Sequence, residues 1–223
     1  MTKRVQPAAS MADQVYTVLH ESIMSGEYPA GYRLRIRDLA AEVGTSEMPV
    51  REAIRRLEEA GFAERVPHKG AVVKGLEPAE LLHVYGVRTI LEVEAARLGT
   101  ARADEKCVDR MRTELDLMGR AMTDGAVTDY LDHDEKLLAT LYEASGNPVL
   151  LTTIRGLWQQ CRAYKTVGAR STLEQPDAGV LLHYQQLLVD AAAAGDFDAS
   201  ASITHDSLTN ATERIKAQLP TAR

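Results

Sequence analysis

Hydrophobic residues in the first third of the chain recur at helical spacing and are separated by short turns. One helix is predicted over residues 11–23, where the stretch SGEYPAG ends it with Gly and Pro. A short helix over about 37–43 leads into a turn at Gly44. The next helix starts after Ser46, a good N-cap residue, and stops before Gly61, a residue type that ends helices.

Two short extended segments, FAERV and AVVKG, follow this helix and are joined by PHKG. Strands linked by a turn of this length pair as a hairpin. The order is therefore helix, helix-turn-helix, then a two-stranded wing, and it predicts an N-terminal winged helix-turn-helix domain.

From residue 78 onward the pattern is helical throughout. The predicted helices span 78–102, 104–123, 126–145, 147–170, 176–194 and 197–218. Six helices without strands imply an all-α six-helix bundle, so the fold class is mainly α. We expect a tail at 1–9, the winged domain at 10–76 and the helical domain at 77–218, joined near KGLEP.

Charge is distributed unevenly between these two parts. The whole chain carries a net charge of −6, but residues 1–75 contain 11 basic and 10 acidic residues, against 15 and 22 in the remainder. The basic residues of the first part are clustered, as in RLRIR and REAIRR. This fits DNA binding by the first part alone.

The remaining composition favours a cytoplasmic protein with no membrane partner. No apolar run is long enough to span a bilayer, and the N-terminus has no apolar segment of the kind found in secretory signals. The two cysteines, Cys107 and Cys161, form no pair motif, which argues against a disulfide framework.

The second helix of the predicted helix-turn-helix carries charges on one face and an apolar stripe on another. Glu47, Arg51 and Arg55 stand at i, i+4 and i+8. A solvated charged face would explain an isolated helix of this kind. The short preceding helix, the turn and the wing occur in the order of a DNA-binding domain, and they favour DNA binding.

The segment LAAEVGTSEMPVREAIRRLEEAGFAERVPHKGAVV resembles the GntR family of bacterial transcription regulators over the whole winged domain. The resemblance implies DNA contacts at Arg37, Ser46, Glu47, Met48, Pro49, Arg51, His68, Lys69 and Gly70. Arg51 is the strongest candidate for reading guanine, because arginine can donate two hydrogen bonds to its edge. Arg37, Arg55 and Lys69 are expected to bind phosphates.

Glu47 departs from the family, which usually has arginine there. Three interpretations remain open. The carboxylate could stabilise the helix N-terminus, pair with Arg51 four residues later, or accept a hydrogen bond from cytosine.

Three polar residues of the helical domain fall on faces predicted to point inward. Asp134 shares the stripe that contains Tyr130, while His183 and His205 lie on apolar faces of two later helices. A buried aspartate is costly unless it is paired, protonated or bound to metal. Each residue alone would be a satisfied core residue, but their convergence predicts a site.

This domain resembles the FCD ligand-binding domain of the FadR subfamily, in VRTILEVEAARLGTARA, DEKLLATLYEASGNPVL and HYQQLLVDAAAAGDFDASASITHDSL. The resemblance implies a divalent metal, zinc or similar, on Asp134, His183 and His205. Leu138 stands where the family has a further histidine ligand. The neighbouring Asp129 and His133 have the same Asp-x₃-His spacing. Using them as the metal ligands would shift the alignment with the family by about one helical turn.

The family also implies an acidic effector held near Tyr130 and by a pocket arginine, for which Arg88 is the candidate. The alternative for Arg88 is a surface ion pair with Glu92, four residues later.

The leading hypothesis is a regulator, not an enzyme: a homodimeric repressor that binds a short palindromic operator and is released by a small organic acid. Two alternatives stay open. The helical domain could only dimerise and bind no effector, which Leu138 favours. Asp134, His183 and His205 could instead form an enzymatic two-histidine, one-carboxylate metal site.

Overall fold

The structure is a computed structural model, and it describes residues 10–76, 78–173 and 180–217. The N-terminal elements are α1 (Met11–Met24), α2 (Ile36–Glu42), α3 (Glu47–Glu59), β1 (Ala63–Val66) and β2 (Gly70–Val73). They occur in the predicted order of a winged helix-turn-helix.

Helix α1 begins with a reciprocal capping arrangement. The backbone N–H of Asp13 donates to the Ser10 hydroxyl at 3.2 Å, and the backbone N–H of Ser10 donates to the Asp13 carboxylate at 2.9 Å. Both donors would otherwise lack a partner at the helix start. The inner face of α1 then buries Val15, Leu19 and Ile23.

The turn before α3 and the turn after it both use glycine in the left-handed region. Gly44 has φ of 68° and Gly61 has φ of 80°, conformations that other residues rarely adopt. Between them, α3 packs against α1 and α2 through a buried stripe: Val50, Ala53, Ile54 and Leu57. Strands β1 and β2 pair antiparallel from Ala63↔Val73 to Val66↔Gly70 and form the wing.

Every regular element in the described parts of residues 78–217 is a helix. These elements are α4 (Pro78–Thr100), α5 (Glu105–Thr123), α6 (Val127–Ala144), α7 (Pro148–Leu173), α8 (Val180–Ala194) and α9 (Phe197–Ala217). The predicted fold class is confirmed, with helix ends within a few residues of their expected positions. The predicted start of α8 at 176 lies outside the described residues.

The helical bundle is held by one large apolar core and by close backbone contact between α4 and α6. A side chain at Gly99 of α4 would collide with the carbonyl of Leu141 in α6, so glycine is required at this crossing. On the other side of α4, the hydroxyl of Thr100 donates to that of Ser200 in α9 at 2.8 Å. Small residues therefore bring both neighbours close to α4.

The chain divides into two compact units, one ending at Gly75 and the other beginning at Leu76. Each unit has its own buried core. Among the described residues, no helix combines the length and apolar composition needed to cross a membrane.

Candidate functional site

The start of α3 forms an exposed polar surface in the N-terminal unit. Ser46, Glu47 and Met48 are exposed, and Pro49 is half-buried. Met48 is 70% exposed, although it is a large apolar residue. Ser46 occupies the N-cap position as predicted, but its hydroxyl makes no capping hydrogen bond. That hydroxyl is therefore free for another partner.

Two arginines of this surface share the carboxylate of Glu47. Arg37 Nε lies 3.3 Å from Glu47 Oε1, and Arg51 Nη2 lies 3.8 Å from Glu47 Oε2. We call Arg37, Glu47 and Arg51 the Glu47 cluster. The expected Glu47–Arg51 pair is present, whereas the contact with Arg37 was not anticipated. The arginine side chains remain 88% and 59% exposed, so they are accessible to a ligand.

Arg55, farther along the same helix, is more fully occupied. Its guanidinium pairs with Glu52 one turn before it and with Glu59 one turn after it. A phosphate contact by Arg55 would have to compete with two carboxylates. A phosphate that binds Arg37 or Arg51 would compete with a single carboxylate, that of Glu47.

The wing tip presents the remaining candidates for DNA contact. His68, Lys69 and Gly70 are all exposed. His68 has φ of 63°, in the left-handed region, because the backbone reverses direction there. The turn is closed by the N–H of Lys69 donating to the carbonyl of Val66 at 3.0 Å. The side chains of His68 and Lys69 therefore project from a tight turn.

The C-terminal unit encloses a cavity of about 530 Å³. Five tyrosines line it, together with the charged side chains of Arg88, Glu92, Asp134, Lys165 and Arg214. A volume of this size suits a small metabolite. The cavity lining includes Arg88 and Tyr130, which were predicted to bind an effector.

Arg88 and Glu92 form a buried ion pair beside this cavity. Arg88 Nε donates to Glu92 Oε1 at 2.7 Å, and the Arg88 side chain is only 4% exposed. Burial alone would lower the pKa of Arg88, but the Glu92 carboxylate holds it above its usual range. Glu92 also accepts hydrogen bonds from Trp158 at 3.0 Å and from Tyr142 at 3.3 Å. The ion pair with Glu92 that the alternative predicted is present, but its predicted place on the surface is wrong, because the pair is buried.

Asp134 is buried and pairs with a lysine. Lys165 Nζ lies 2.9 Å from Asp134 Oδ2, and Gln185 Nε2 donates to Asp134 Oδ1 at 2.8 Å. Burial alone would lower the pKa of Lys165, but the carboxylates of Asp134 and Glu135 raise it above its usual range. Tyr130 lies in the same lining, and burial raises the pKa of its phenol. The cost of burying Asp134 is therefore offset by a protein cation.

The two histidines expected to converge on Asp134 are exposed, so the expectation that they point inward is wrong. His183 lies on the opposite side of α8 from the buried Leu188 and Ala192. His205 lies one position from the buried α9 residue Thr204. The buried face of α9 includes the small polar residues Ser200 and Thr204. A search for large apolar residues therefore does not identify this face from the sequence.

The described residues contain no group of three or more histidines, cysteines, aspartates or glutamates that could hold a metal. Leu138, in place of a further ligand, lines the cavity with an apolar side chain. Asp134, His183 and His205 are thus not brought together as one donor set. His133, the alternative histidine, is half-buried and shares a hydrogen bond with Glu114 at 2.6 Å, while Asp129 is exposed.

Lys165, Gln185 and Arg214 line the cavity but were missed from the sequence. A usable pattern exists for Lys165, which is flanked at four-residue spacing by the buried Cys161 and Ala169 of α7. A lysine within an apolar stripe indicates a buried partner. Cys107 and Cys161 are free and buried, as expected from the absence of a pair motif.

Two family models match the chain, one in each unit. Residues 11–73 match the family of bacterial regulatory proteins named gntR, and residues 83–210 match the FCD domain.

Full-length relatives show the same combination. A protein of Paenarthrobacter nicotinovorans named as a probable transcriptional repressor of the D-xylose utilization operon is 28% identical over 88% of this chain and 85% of its own length. The gluconate operon transcriptional repressor of Bacillus licheniformis is 25% identical over 93% of this chain and 86% of its own length. Both are named as regulators and not as enzymes.

The fold matches solved structures as well. A GntR transcriptional regulator from Rhodococcus sp. RHA1 superposes with a TM-score of 0.77 over 94% of this chain and 99% of its own, at 22% identity. This similarity concerns the fold, which agrees with the winged unit and the helical unit described above.

Proposed function

The chain belongs to the GntR family of bacterial regulatory proteins and carries an FCD domain, and from this premise we propose that it is a ligand-responsive repressor. Members of this family are DNA-binding transcriptional regulators, and the chain is one of them. The proposal adds three features: base reading by α3, a dimer on a palindromic operator, and release by a small organic acid.

The exposed start of α3 supports the proposal for base reading. Arg51 is accessible, and its ion-pair partner among the described residues is the shared carboxylate of Glu47. Arginine in the major groove recognises guanine through two hydrogen bonds. Arg37 and Lys69 would bind phosphates at the two edges of the contact and set its register. Ser46, Met48 and Pro49 would then face the groove, with His68 and Gly70 close to the backbone.

A dimer follows from the need to read enough base pairs. One winged unit contacts a half-site, and two units related by symmetry bind a palindrome. The helical unit would hold the two copies together. It would do so equally under the alternative hypothesis in which this unit binds no effector.

The cavity in the helical unit supports an effector-controlled mechanism. It is lined by charged side chains and tyrosines, which suits a polar metabolite better than a hydrocarbon. Two relatives are named as repressors of D-xylose and gluconate operons. We therefore propose an organic acid, bound near Arg88 and Tyr130, that shifts the protein toward a form with low operator affinity.

Footprinting on the DNA upstream of the chain's own gene tests the DNA part. We expect a protected palindrome with the wild-type protein and none with Arg51→Ala. The control variant Arg112→Ala changes an exposed arginine of α5 and should retain protection. Absence of protection by the folded dimer at low salt would overturn the proposal.

Screening organic acids by thermal shift, followed by footprinting with each acid that binds, tests the effector part. An acid that binds and removes the protection supports it. If no acid in a broad panel binds, the helical unit acts only in dimerisation and the effector part is wrong.

A further inference from the structure

Lys165 is a largely buried cation, and the described residues use only part of its hydrogen-bonding capacity. An ammonium group has three N–H donors. Among the described residues, Lys165 Nζ has one hydrogen-bond acceptor, Asp134 Oδ2 at 2.9 Å. Its side chain is 14% exposed and lines the cavity. Within the described part of the chain, two of the three donors are therefore available to a group bound in the cavity.

Arg88 is a weaker candidate for this role because its side chain is only 4% exposed, against 14% for Lys165, and three neighbouring groups hold its guanidinium. Its Nε donates to Glu92, its Nη1 lies 3.5 Å from Cys161 Sγ, and its plane stacks over Tyr85 at 4.5 Å. A ligand would have to replace some of these contacts. Arg88 thus serves to complete the buried polar network around Glu92.

Among the described residues that line the cavity, basic side chains outnumber acidic ones. Arg88 is balanced by Glu92 and Lys165 by Asp134, while Arg214 also lines the cavity and has no carboxylate partner among the described residues. Arg214 is exposed, which places it at the opening. The side-chain oxygen of Gln185 is buried and accepts no hydrogen bond within the described part of the chain. A site with a surplus cation is suited to an anion.

A divalent metal does not fit the same position. Each oxygen of Asp134 already accepts a hydrogen bond, one from Lys165 and one from Gln185. Glu92, the other carboxylate of the lining, accepts from Arg88, Trp158 and Tyr142. A metal on Asp134 would have to displace the Lys165 ammonium or lie against it, and like charges repel.

We propose that Lys165, held in place by Asp134, binds the carboxylate of the effector directly, so that effector binding requires no metal ion. Arg214 at the opening adds a second positive charge for the same anion. This inference rests on the proposed function, since it assumes that the cavity is the effector site.

Calorimetric titration tests the role of Lys165, with D-gluconate as the carboxylate probe and sorbitol as the uncharged six-carbon control. If gluconate does not bind, the strongest-binding acid of the panel replaces it. Lys165→Gln keeps a donor for Asp134 but removes the charge, and we expect it to lower acid affinity by roughly 10- to 100-fold. Lys165→Arg should restore much of that loss. Lys136→Gln removes an exposed lysine of α6 outside this cavity and should leave affinity unchanged.

The double variant Asp134→Asn/Lys165→Gln protects the test against misfolding, because it leaves no unpaired buried charge. It should fold and still lose affinity. The same titration in EDTA and in added ZnCl₂ should give affinities within about twofold of each other. Elemental analysis of the purified dimer should find far less than one zinc per chain.

The outcomes distinguish failure of the role of Lys165 from failure of the proposed effector-responsive function. Acid binding that needs zinc, or that survives in both variants carrying Lys165→Gln, overturns the role of Lys165 and leaves the effector-responsive function intact. If no acid binds under any condition, the effector function and the role of Lys165 both fail.

Discussion

The Glu47 cluster and the cavity of the helical unit both combine basic side chains with carboxylates, but they differ in burial. Arg37 and Arg51 are exposed and share one carboxylate at 3.3 and 3.8 Å. Arg88 is buried and Lys165 is largely buried, and each has its own carboxylate, at 2.7 and 2.9 Å. Similar pairs of residue types therefore occur in two electrostatic environments.

This difference indicates two different roles for ion pairs. An exposed pair contributes about 0–1 kcal/mol and is screened by salt, so its arginines can exchange a carboxylate for a phosphate at little cost. Breaking a buried pair leaves a charge without a partner, which costs roughly 3–5 kcal/mol. The first arrangement suits transient recognition of a polyanion. The second holds a fixed binding geometry.

The largest expected effect is on stability, from breaking the buried pair of α4. Glu92→Ala leaves Arg88 buried without its counter-charge and deprives Trp158 and Tyr142 of an acceptor. We expect the free energy of unfolding to fall by about 3–5 kcal/mol. Urea unfolding followed by circular dichroism measures this change, and fluorescence of Trp158, the only tryptophan in the sequence, reports on the site itself.

Glu94→Ala is the matched control on the same helix. Glu94 pairs with Arg97 on the exposed face of α4 at 2.7 Å. Removal of the Glu94 carboxylate should leave the urea midpoint of unfolding equal to that of the wild-type protein within experimental error. Equal losses from both variants would mean that burial does not distinguish these pairs.

The second-largest expected effect is a loss of operator binding when the Glu47 cluster is changed. Arg51→Ala removes the proposed guanine contact, and we expect specific affinity to fall by about 1–3 kcal/mol with little change in stability. Fluorescence anisotropy with operator and with unrelated DNA separates specific from general binding. A loss that is equal on both DNAs would assign Arg51 to phosphate contact.

A smaller effect is expected when the charge of Glu47 is reversed. Glu47→Arg frees Arg37 and Arg51 from their shared carboxylate and adds a cation. Affinity for unrelated DNA should rise, and the dependence of log K on log salt should become steeper by about one unit. Glu105→Arg makes the same change at an exposed site of α5 and should alter neither value. Unchanged general affinity of Glu47→Arg would rule out the electrostatic explanation.

The smallest effect is an expected absence of pH dependence in acid binding above neutral pH. The carboxylates of Asp134 and Glu135 hold the pKa of Lys165 above its ordinary value of 10.5, despite its burial. The ion pair is therefore fully formed below that ordinary value and is lost only as pH rises through the higher pKa of the folded state. Acid affinity should stay constant between about pH 7 and about pH 9.5. Titration calorimetry across this range checks it.

Extending that titration downward distinguishes lysine from histidine as the ligand-binding cation. A binding cation with the ordinary histidine pKa of about 6.5 would make acid binding weaken steeply as pH rises from about 5.5 to about 7.5. Such a decline would favour the histidines over Lys165.

The fold could be predicted in detail because its determinants are local. Gly44 and Gly61 occupy left-handed turns that their neighbours in sequence already suggest. Helix ends were predicted within a few residues because turn residues mark them. The Glu47–Arg51 pair was also predictable, since both residues lie on one helix at four-residue spacing.

The cavity was less predictable because its contacts join distant segments. Arg88 and Tyr130 were identified through family resemblance, and both line the cavity. The pairing of Asp134 with Lys165 connects α6 to α7, and no local pattern shows which cation approaches a buried aspartate. His183 was misplaced because Leu187, an apolar residue on its side of α8, is itself exposed. His205 was misplaced because it lies one position, or about 100° around the helix, from the buried Thr204.

The sequence alone determined the order of the elements, the division into a winged segment and a helical segment, and the charged face of α3. Short-range spacing controls each of these properties. Only the tertiary structure decided that Lys165 neutralises Asp134, that Glu92 gathers three donors, and that the two histidines face outward. These properties depend on how helices far apart in sequence rotate and pack, since that packing decides which charged side chains are removed from water. A charge removed from water needs a polar partner, and packing alone decides which residue supplies it.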